Sequence, residues 1–383
     1  MAIVQRMPHG AAVCSPSAEE GATYRPSAGK EAAPSPVAAA VAVNTAAAAP
    51  QERPPGTIGI GIPCLVGFLI LYTVLPHYAL FYYVPYGRTI EAALIVWAIF
   101  FDKVAFNGKG RPIVVFRRGW WWDAQRSYFP ISLHQECEFD ASKRHVFVIH
   151  PHGILGFSAW LSFAADAIGF SRKNHDIDIA LATINVNFYV PFWRDVLLAM
   201  GLVDASFKSL SAALRRNRSV AVVLGGASEA LNSHPGTYDI ILNKRKGIIR
   251  LALSTGAALV PVFVFGETDL FYQVPNPKGS LLRSIQETFL SRFKFSPPLV
   301  LGRGLFGCKV GPLPYAVPLH IVTGTPIEVP HIPAPSDADI VQFQGVYRRA
   351  LEKLYADHEK RYFEEVLPKE LRPVKRPVLR IVA

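Results

Sequence analysis

The chain is poor in charge. Of its 383 residues, 18% are Asp, Glu, Lys or Arg, against about 25% in a typical soluble protein. With 24 Phe, 14 Tyr and 6 Trp, that deficit excludes a mostly disordered or fibrous chain. Cysteine is scarce too: the four, at 14, 64, 137 and 308, form no CxxC pair and no close cluster. This excludes a disulfide-stapled secreted scaffold and a Cys-ligated zinc module, and fits a reducing compartment. Acids are outnumbered, 29 against 40 Lys and Arg, for a net charge of +11. No basic helix or recognised nucleic-acid module accompanies the excess, so it points to anionic headgroups or phosphate-bearing substrates and away from nucleic acid.

Residues 1–55 carry none of that excess, with four basic residues (Arg6, Arg25, Lys30, Arg53) balancing four Glu (19, 20, 31, 52). Sixteen of the first 50 residues are Ala and six are Pro, and no apolar period lasts two turns. Such a stretch buries too little surface to offset its chain entropy, so a disordered tail is expected. It lacks the basic start and continuous apolar run of a signal peptide and matches a transit peptide only weakly.

From Ile58 to Tyr86 there are 29 residues without a formal charge, more than the ~20 that cross a hydrocarbon core as a helix. After Arg88 and Glu91 the chain is apolar again over Ala92–Phe101. Pro63, Pro76 and Pro85 argue against one straight helix, and the tyrosines at 72, 78, 82, 83 and 86 with Trp97 suit a membrane–water interface. The expectation is a membrane hairpin over 56–102, bent at Pro76. Lys103, Lys109, Arg111, Arg117 and Arg118, with no intervening acid, place the flank in the cytosol by the positive-inside rule. Residues 103–383 then form a cytosolic body.

That body alternates short β-branched runs with helical patterns. HVFVI (145–149), IALATI (179–184), SVAVVL (219–224), ALVPVFVF (258–265) and 319–322 each run into a Gly-rich or polar turn. Helices are expected over 192–200, 208–216 and 247–255. The class is α/β, a mostly parallel sheet with flanking helices, in which ligands bind beyond the carboxyl ends of the strands. No internal repeat is present, and the sequence carries no sign of oligomeric state.

Three motifs occupy such ends. HPHG (150–153) follows a strand directly, and Pro151 breaks the chain so that imidazole is presented there. A neutral imidazole is the usual general base toward a hydroxyl; a structural turn and a His-x-His metal pair are the competing readings. In GGASEAL (225–231), two glycines allow a close backbone approach to an anion or oxyanion, and Glu229 stands where a helix begins. It either orients an imidazole or a substrate hydroxyl, or complements the helix dipole. KRKG (244–247) sets three cations before a helix, suited to phosphates or a solvated charge run. NFYVPFWRD (187–195) places Arg194 among aromatics, fit for an acyl chain beside a charged headgroup or for a core edge.

Together these stretches resemble the type-2 diacylglycerol acyltransferase family, which includes monoacylglycerol and wax-ester acyltransferases. The matching elements are YFP (128–130), HPHG, PFWRDVLLAMG (191–201), GGASEAL, RKGIIRLAL (245–253), TGAALVPVFVFGE (255–267) and VTGTPI (322–327). FLILYTV (68–74) is similar to the neutral-lipid-binding pattern of some members, here Phe68, Leu69 and Leu71. The family is distantly similar to glycerolipid acyltransferases with a His-x4-Asp motif, from which this chain departs: position 155 is Leu and 157 is Phe. Glu229 or a backbone carbonyl must then hold the imidazole.

The resemblance implies acyl transfer from acyl-CoA, a substrate and not a cofactor, to the hydroxyl of diacylglycerol, without a metal. It implies His152 as the base, His150 in support with Glu229, and Pro151, Gly153, Arg194, Gly225, Gly226, Arg245, Lys246 and Gly247 around the substrates. It also implies the endoplasmic reticulum membrane or the lipid droplet as the location, with membrane lipids as partners. A monoacylglycerol or fatty-alcohol acceptor remains open, as does a non-catalytic lipid-binding protein.

Overall fold

The β-branched runs form the strands that their composition predicts. In the computed structural model, which describes residues 70–293, 298–304 and 311–382, the strands are β1 (Ile131–Gln135), β2 (His145–His150), β3 (Ile179–Thr183), β4 (Val203–Asp204), β5 (Ser219–Val223), β6 (Tyr238–Ile241), β7 (Ala258–Phe265), β8 (Tyr272–Gln273), β9 (Val300–Leu301), β10 (Leu319–Thr323) and β11 (Leu379–Val382). The expected tail, and Phe68 and Leu69, lie outside the described residues.

Seven strands make the central sheet in the order β1-β10-β7-β2-β5-β3-β4. Every neighbouring pair is parallel except β10 with β7. β2, β7 and β10 are buried along their whole length, as strands covered on both faces must be, and this explains why they read as continuous apolar runs. Helices fall where the pattern put them, at Trp193–Ala199, Phe207–Arg215 and Lys246–Thr255. A long helix, Asp337–Arg361, lies on β7. It starts at a reciprocal cap between Ser336 and Asp339 and buries Tyr347, Leu351, Leu354 and Tyr355, a helical spacing facing the sheet. From β2 the chain fills one side with β3, β4 and β5, then crosses to β7 on the other. The carboxyl end of β2 is thus the switch point where a doubly wound sheet opens a crevice.

The apolar segment departs from expectation. Ile70–Val74 continues into Leu75–Tyr82, and Gly87–Val96 into Trp97–Phe101. The reversal is at 83–86, not at Pro76. Pro76 lies within this continuous run, just after the junction where the π-helical Ile70–Val74 gives way to the α-helical Leu75–Tyr82. The reversal instead uses Pro85, Tyr86 in the left-handed region (φ 58°), and Gly87, where a Cβ would stand 1.6 Å from the Leu80 carbonyl oxygen. The two interrupting charges are both used: Glu91 Oε1 lies 2.7 Å from His77 Nδ1, and the Arg88 guanidinium sits 4.1 Å above the Phe81 ring. Among the described residues no helix is long and apolar enough to cross a membrane. The pair nevertheless turns outward much of its apolar surface, including Tyr82, Tyr83, Tyr86, Trp97, Phe100 and Phe101. It joins the body at Asp102, which accepts from Arg194 Nη1 at 2.9 Å and Arg111 Nη2 at 2.7 Å.

Candidate active site at the carboxyl ends of β2, β5 and β7

Parallel pairing of β2 with β5 and β7 aligns three motifs. Ile149 lies opposite Val223 and His150 opposite Phe263, so HPHG, GGASE and Phe-Gly-Glu leave the sheet side by side. The sheet therefore collects groups that are separate in sequence.

His150 is fully buried. The Tyr347 hydroxyl lies 3.3 Å from the Val148 carbonyl and 3.1 Å from His150 Nε2. The hydroxyl thus bridges the imidazole and the strand, its one proton serving either the Val148 carbonyl or His150 Nε2. Burial pulls the His150 pKa down to about 3. His150 is thus a neutral wedge between β2 and the long helix.

His152 is half-buried. Its Nδ1 stands 3.2 Å from the Gly153 carbonyl; with Nδ1–H donating there, Nε2 keeps its lone pair. Burial lowers its pKa, the Gly153 carbonyl raises it, and the Arg245 charge lowers it further. The ring is consequently neutral at pH 7 and able to accept a proton.

Of the two holders open to the imidazole, the carbonyl is the one found; Glu229 does something else. Its Oε1 accepts from the main-chain N–H of His152 at 2.6 Å and its Oε2 from Ile241 N–H at 2.9 Å, so it fixes the loop that carries the ring. Burial pushes its pKa up to about 7 against the pull of those two bonds and of Arg245. Glu267 mirrors it across β2. This buried side chain accepts from Phe157 N–H at 2.9 Å and Ser158 N–H at 3.0 Å, and burial raises its pKa against those bonds. Each glutamate has a glycine that makes room for it. A Cβ on Gly225 (φ 118°) would lie 2.4 Å from Glu229 Oε2, and one on Gly153 (φ 61°) 2.7 Å from Glu267 Cγ. Pro151, joined to His150 through a cis peptide bond, is buried between the two histidines.

Of the expected cations, Arg245 reaches this cluster: its Nη2 donates to the Gly225 carbonyl, and among the described residues its buried Nε has no hydrogen-bond partner. Lys246 and Gly247 are exposed in the first turn of Lys246–Thr255. Gly226 (φ 65°) has the Arg245 guanidinium 3.6 Å from where its Cβ would be. Arg194 is not brought here. It is buried, bound to Asp102 and, through Nε, to the Phe188 carbonyl at 3.0 Å, and so ties the apolar helix pair to the body. Leu71 is exposed on the first apolar helix. Among the described residues no three His, Cys, Asp or Glu side chains gather as metal ligands.

Two further residues of the cluster are not among those singled out in the sequence. Glu267 repeats the signal of Glu229, an acid after a strand and a glycine. Tyr347 gives no signal, since it meets His150 across 197 residues of chain.

The sequence pattern of the family described as diacylglycerol acyltransferase matches residues 80–370. "Diacylglycerol O-acyltransferase 2" of Dictyostelium discoideum is 40% identical over 278 residues, covering 72% of this chain and 84% of its own. "Diacylglycerol O-acyltransferase 2B" of Umbelopsis ramanniana is 37% identical over 308 residues, covering 79% and 85%. "2-acylglycerol O-acyltransferase 1" of Bos taurus is 35% identical over 302 residues, covering 78% and 86%. Among solved structures, the 1-acyl-sn-glycerophosphate acyltransferase PlsC of Thermotoga maritima is similar at a TM-score of 0.36 and 13% identity, covering 70% of this chain and 98% of that one. With the family pattern spanning most of its length, the chain belongs to the diacylglycerol acyltransferase family.

Proposed function

We propose that the protein transfers a fatty acyl group from acyl-CoA to the hydroxyl of diacylglycerol, making triacylglycerol and CoA. The observation that carries the mechanism is His152, neutral, with Nδ1 committed to a backbone carbonyl and Nε2 left to accept a proton. In this reading Nε2 removes the hydroxyl proton as that oxygen bonds to the thioester carbonyl carbon. The Gly225–Gly226 backbone faces the oxyanion. The C–S bond breaks, and the proton passes from His152 to the departing thiolate. Glu229 and Glu267 hold the loop so that nothing need reorganise during the step. Arg245, beside Gly225 with one buried donor unused, meets a CoA phosphate or the thioester region, with Lys246 and the Gly247 backbone at the mouth. Labelled acyl-CoA with diacylglycerol, monoacylglycerol and a fatty alcohol tests the acceptor. Label in triacylglycerol is expected; label confined to another product, or to none, overturns the reading. A monoacylglycerol acceptor is the second reading, favoured by the 35% identity to the bovine 2-acylglycerol acyltransferase.

The same reading places the protein in the endoplasmic reticulum membrane or on lipid droplets. The helix pair 70–101 is embedded as a hairpin and the body lies on the cytosolic side. Exposed aromatics on the pair and the basic flank after Asp102 support it. Protease treatment of sealed microsomes with tags at Ala2 and Ala383 should cleave both tags. Protection of the N-terminal tag would overturn the hairpin.

A further inference from the structure

A second cluster of cations lies away from the strand-end site. Residues 104–107 run along the edge strand β4, with Asp204 N–H donating to the Ala105 carbonyl at 3.0 Å. Between this segment and helix Phe207–Arg215 opens a cleft of about 650 Å³. Lys103, Lys208, Arg215 and Arg216 surround it, no Asp or Glu lines it, and Phe106 and Ala212 supply an apolar wall. All four cations are exposed, and among the described residues none forms an ion pair. Lys103 Nζ caps the Ile99 carbonyl and Arg216 Nε reaches the Asn107 carbonyl at 3.4 Å. Of the acids beside the cleft, Asp102 is bound to Arg111 and Arg194, and Asp204 is buried and accepts from the Ser206 N–H at 3.1 Å. Such a set of unneutralised cations around an apolar wall is complementary to a phosphate carried on a glycerol backbone.

The surroundings decide which phosphate. Lys103 follows Phe100 and Phe101, which are 65% and 66% exposed, so the cleft begins where the apolar helix pair ends. Aromatic residues followed by cations mark the headgroup level of a membrane. The HPHG site is three strand steps away (β2-β5-β3-β4), about 14 Å across the sheet at ~4.8 Å per step. We infer that this cleft is a binding site for the phosphate headgroup of an anionic membrane phosphoglyceride. It seats the body on the bilayer beside the helix pair and is distinct from the acyl-CoA site. The inference rests on the membrane placement proposed above, and a detergent-soluble lipid reads the cleft independently of that placement.

The test uses the full chain in detergent, with dioctanoyl phosphatidate, dioctanoyl phosphatidylcholine and free CoA as probes in a direct binding measurement. Wild type should bind phosphatidate at least tenfold more tightly than phosphatidylcholine. Lys208→Ala/Arg215→Ala/Arg216→Ala should lose at least tenfold in phosphatidate affinity. Lys208→Arg/Arg215→Lys, which keeps the charge, should retain affinity and thereby separates charge loss from misfolding. Equal binding of the two lipids, or phosphatidate binding unchanged in the triple variant, overturns the proposal. Displacement of phosphatidate by CoA at equal concentration also overturns it, since the cleft would then belong to the acyl-CoA site.

Discussion

Two regions of this molecule treat exposed and buried groups in opposite ways. At the ends of β2, β5 and β7, polar groups are taken out of water and almost all are given partners: four main-chain N–H groups on two glutamates, a histidine on a tyrosine, an arginine on a carbonyl. Across the helix pair 70–101, large apolar groups are turned outward with little protein against them. Buried polar networks are worth their desolvation only when satisfied, and they then fix one geometry. Exposed aromatics fix nothing within the protein and acquire value from what they meet outside. The first region fixes the HPHG loop in one geometry; the second leaves its apolar surface to whatever lies outside the protein.

The largest effect is expected at the imidazole carried on the loop that this network fixes. His152→Ala should lower acyl transfer by about 10²–10⁴-fold with little change in thermal unfolding, because the ring is half-buried and gives only one local hydrogen bond. Activity above a tenth of wild type would remove it as the base.

Next come the two glutamates. Glu229→Gln leaves one N–H facing an amide that cannot accept from it, a cost of about 1–3 kcal/mol, and lets the HPHG loop drift. The substitution also has a pH signature. The folded-state pKa of Glu229 is raised from 4.5 to about 7, so the folded protein binds more protons than the unfolded one between those values. Wild type should therefore lose stability relative to Glu229→Gln as pH climbs from about 4.5 to about 7, with no further change above. Activity should run the other way, falling below about pH 7 as the carboxylate that anchors His152 N–H takes up a proton. Thermal unfolding and initial rates across pH read both trends. An acid limb unchanged in Glu229→Gln would assign it to another group.

How much of this was legible follows the same division. The strands read clearly because fully buried parallel strands are continuous β-branched runs, and ALVPVFVF emerges with its bounds unchanged as β7. The HPHG and GGASE turns read because a glycine or proline after a strand is a local signal. What those turns do to each other was not legible: Glu229 reaches the His152 backbone across 77 residues, a contact that only the strand order creates. Arg194 left two readings open because an arginine among aromatics looks the same whether it faces a ligand or a buried aspartate 92 residues earlier. Pro76 misled because a proline inside a helical run does not have to reverse the chain; here it falls where the winding changes from the π-helical Ile70–Val74 to the α-helical Leu75–Tyr82.

A smaller effect is expected at Tyr347. Tyr347→Phe removes the hydroxyl that bridges His150 Nε2 and the Val148 carbonyl while keeping the ring, so a loss of about 1 kcal/mol in stability follows, with a modest fall in rate through loosening of β2's end. No measurable destabilisation would mean that the strand ends are held by the glutamates alone.

The smallest effect on folding should come from the outward face of the helix pair. Phe100 and Tyr83 are 65% and 74% exposed, and substitutions at such positions usually change stability by no more than about 0.5 kcal/mol. Phe100→Ser with Tyr83→Ser should therefore unfold in detergent close to wild type, where micelles cover whatever the aromatics had covered. In cells the same variant gives up apolar area that no protein group replaces, at about 25 cal/mol per Å². Its fraction retained in membranes after alkaline carbonate should fall while its unfolding temperature in detergent does not. If the double variant instead loses as much stability as Tyr347→Phe, the aromatics are packing within the protein. The contrast between a region that satisfies itself and one that relies on its surroundings would then be lost.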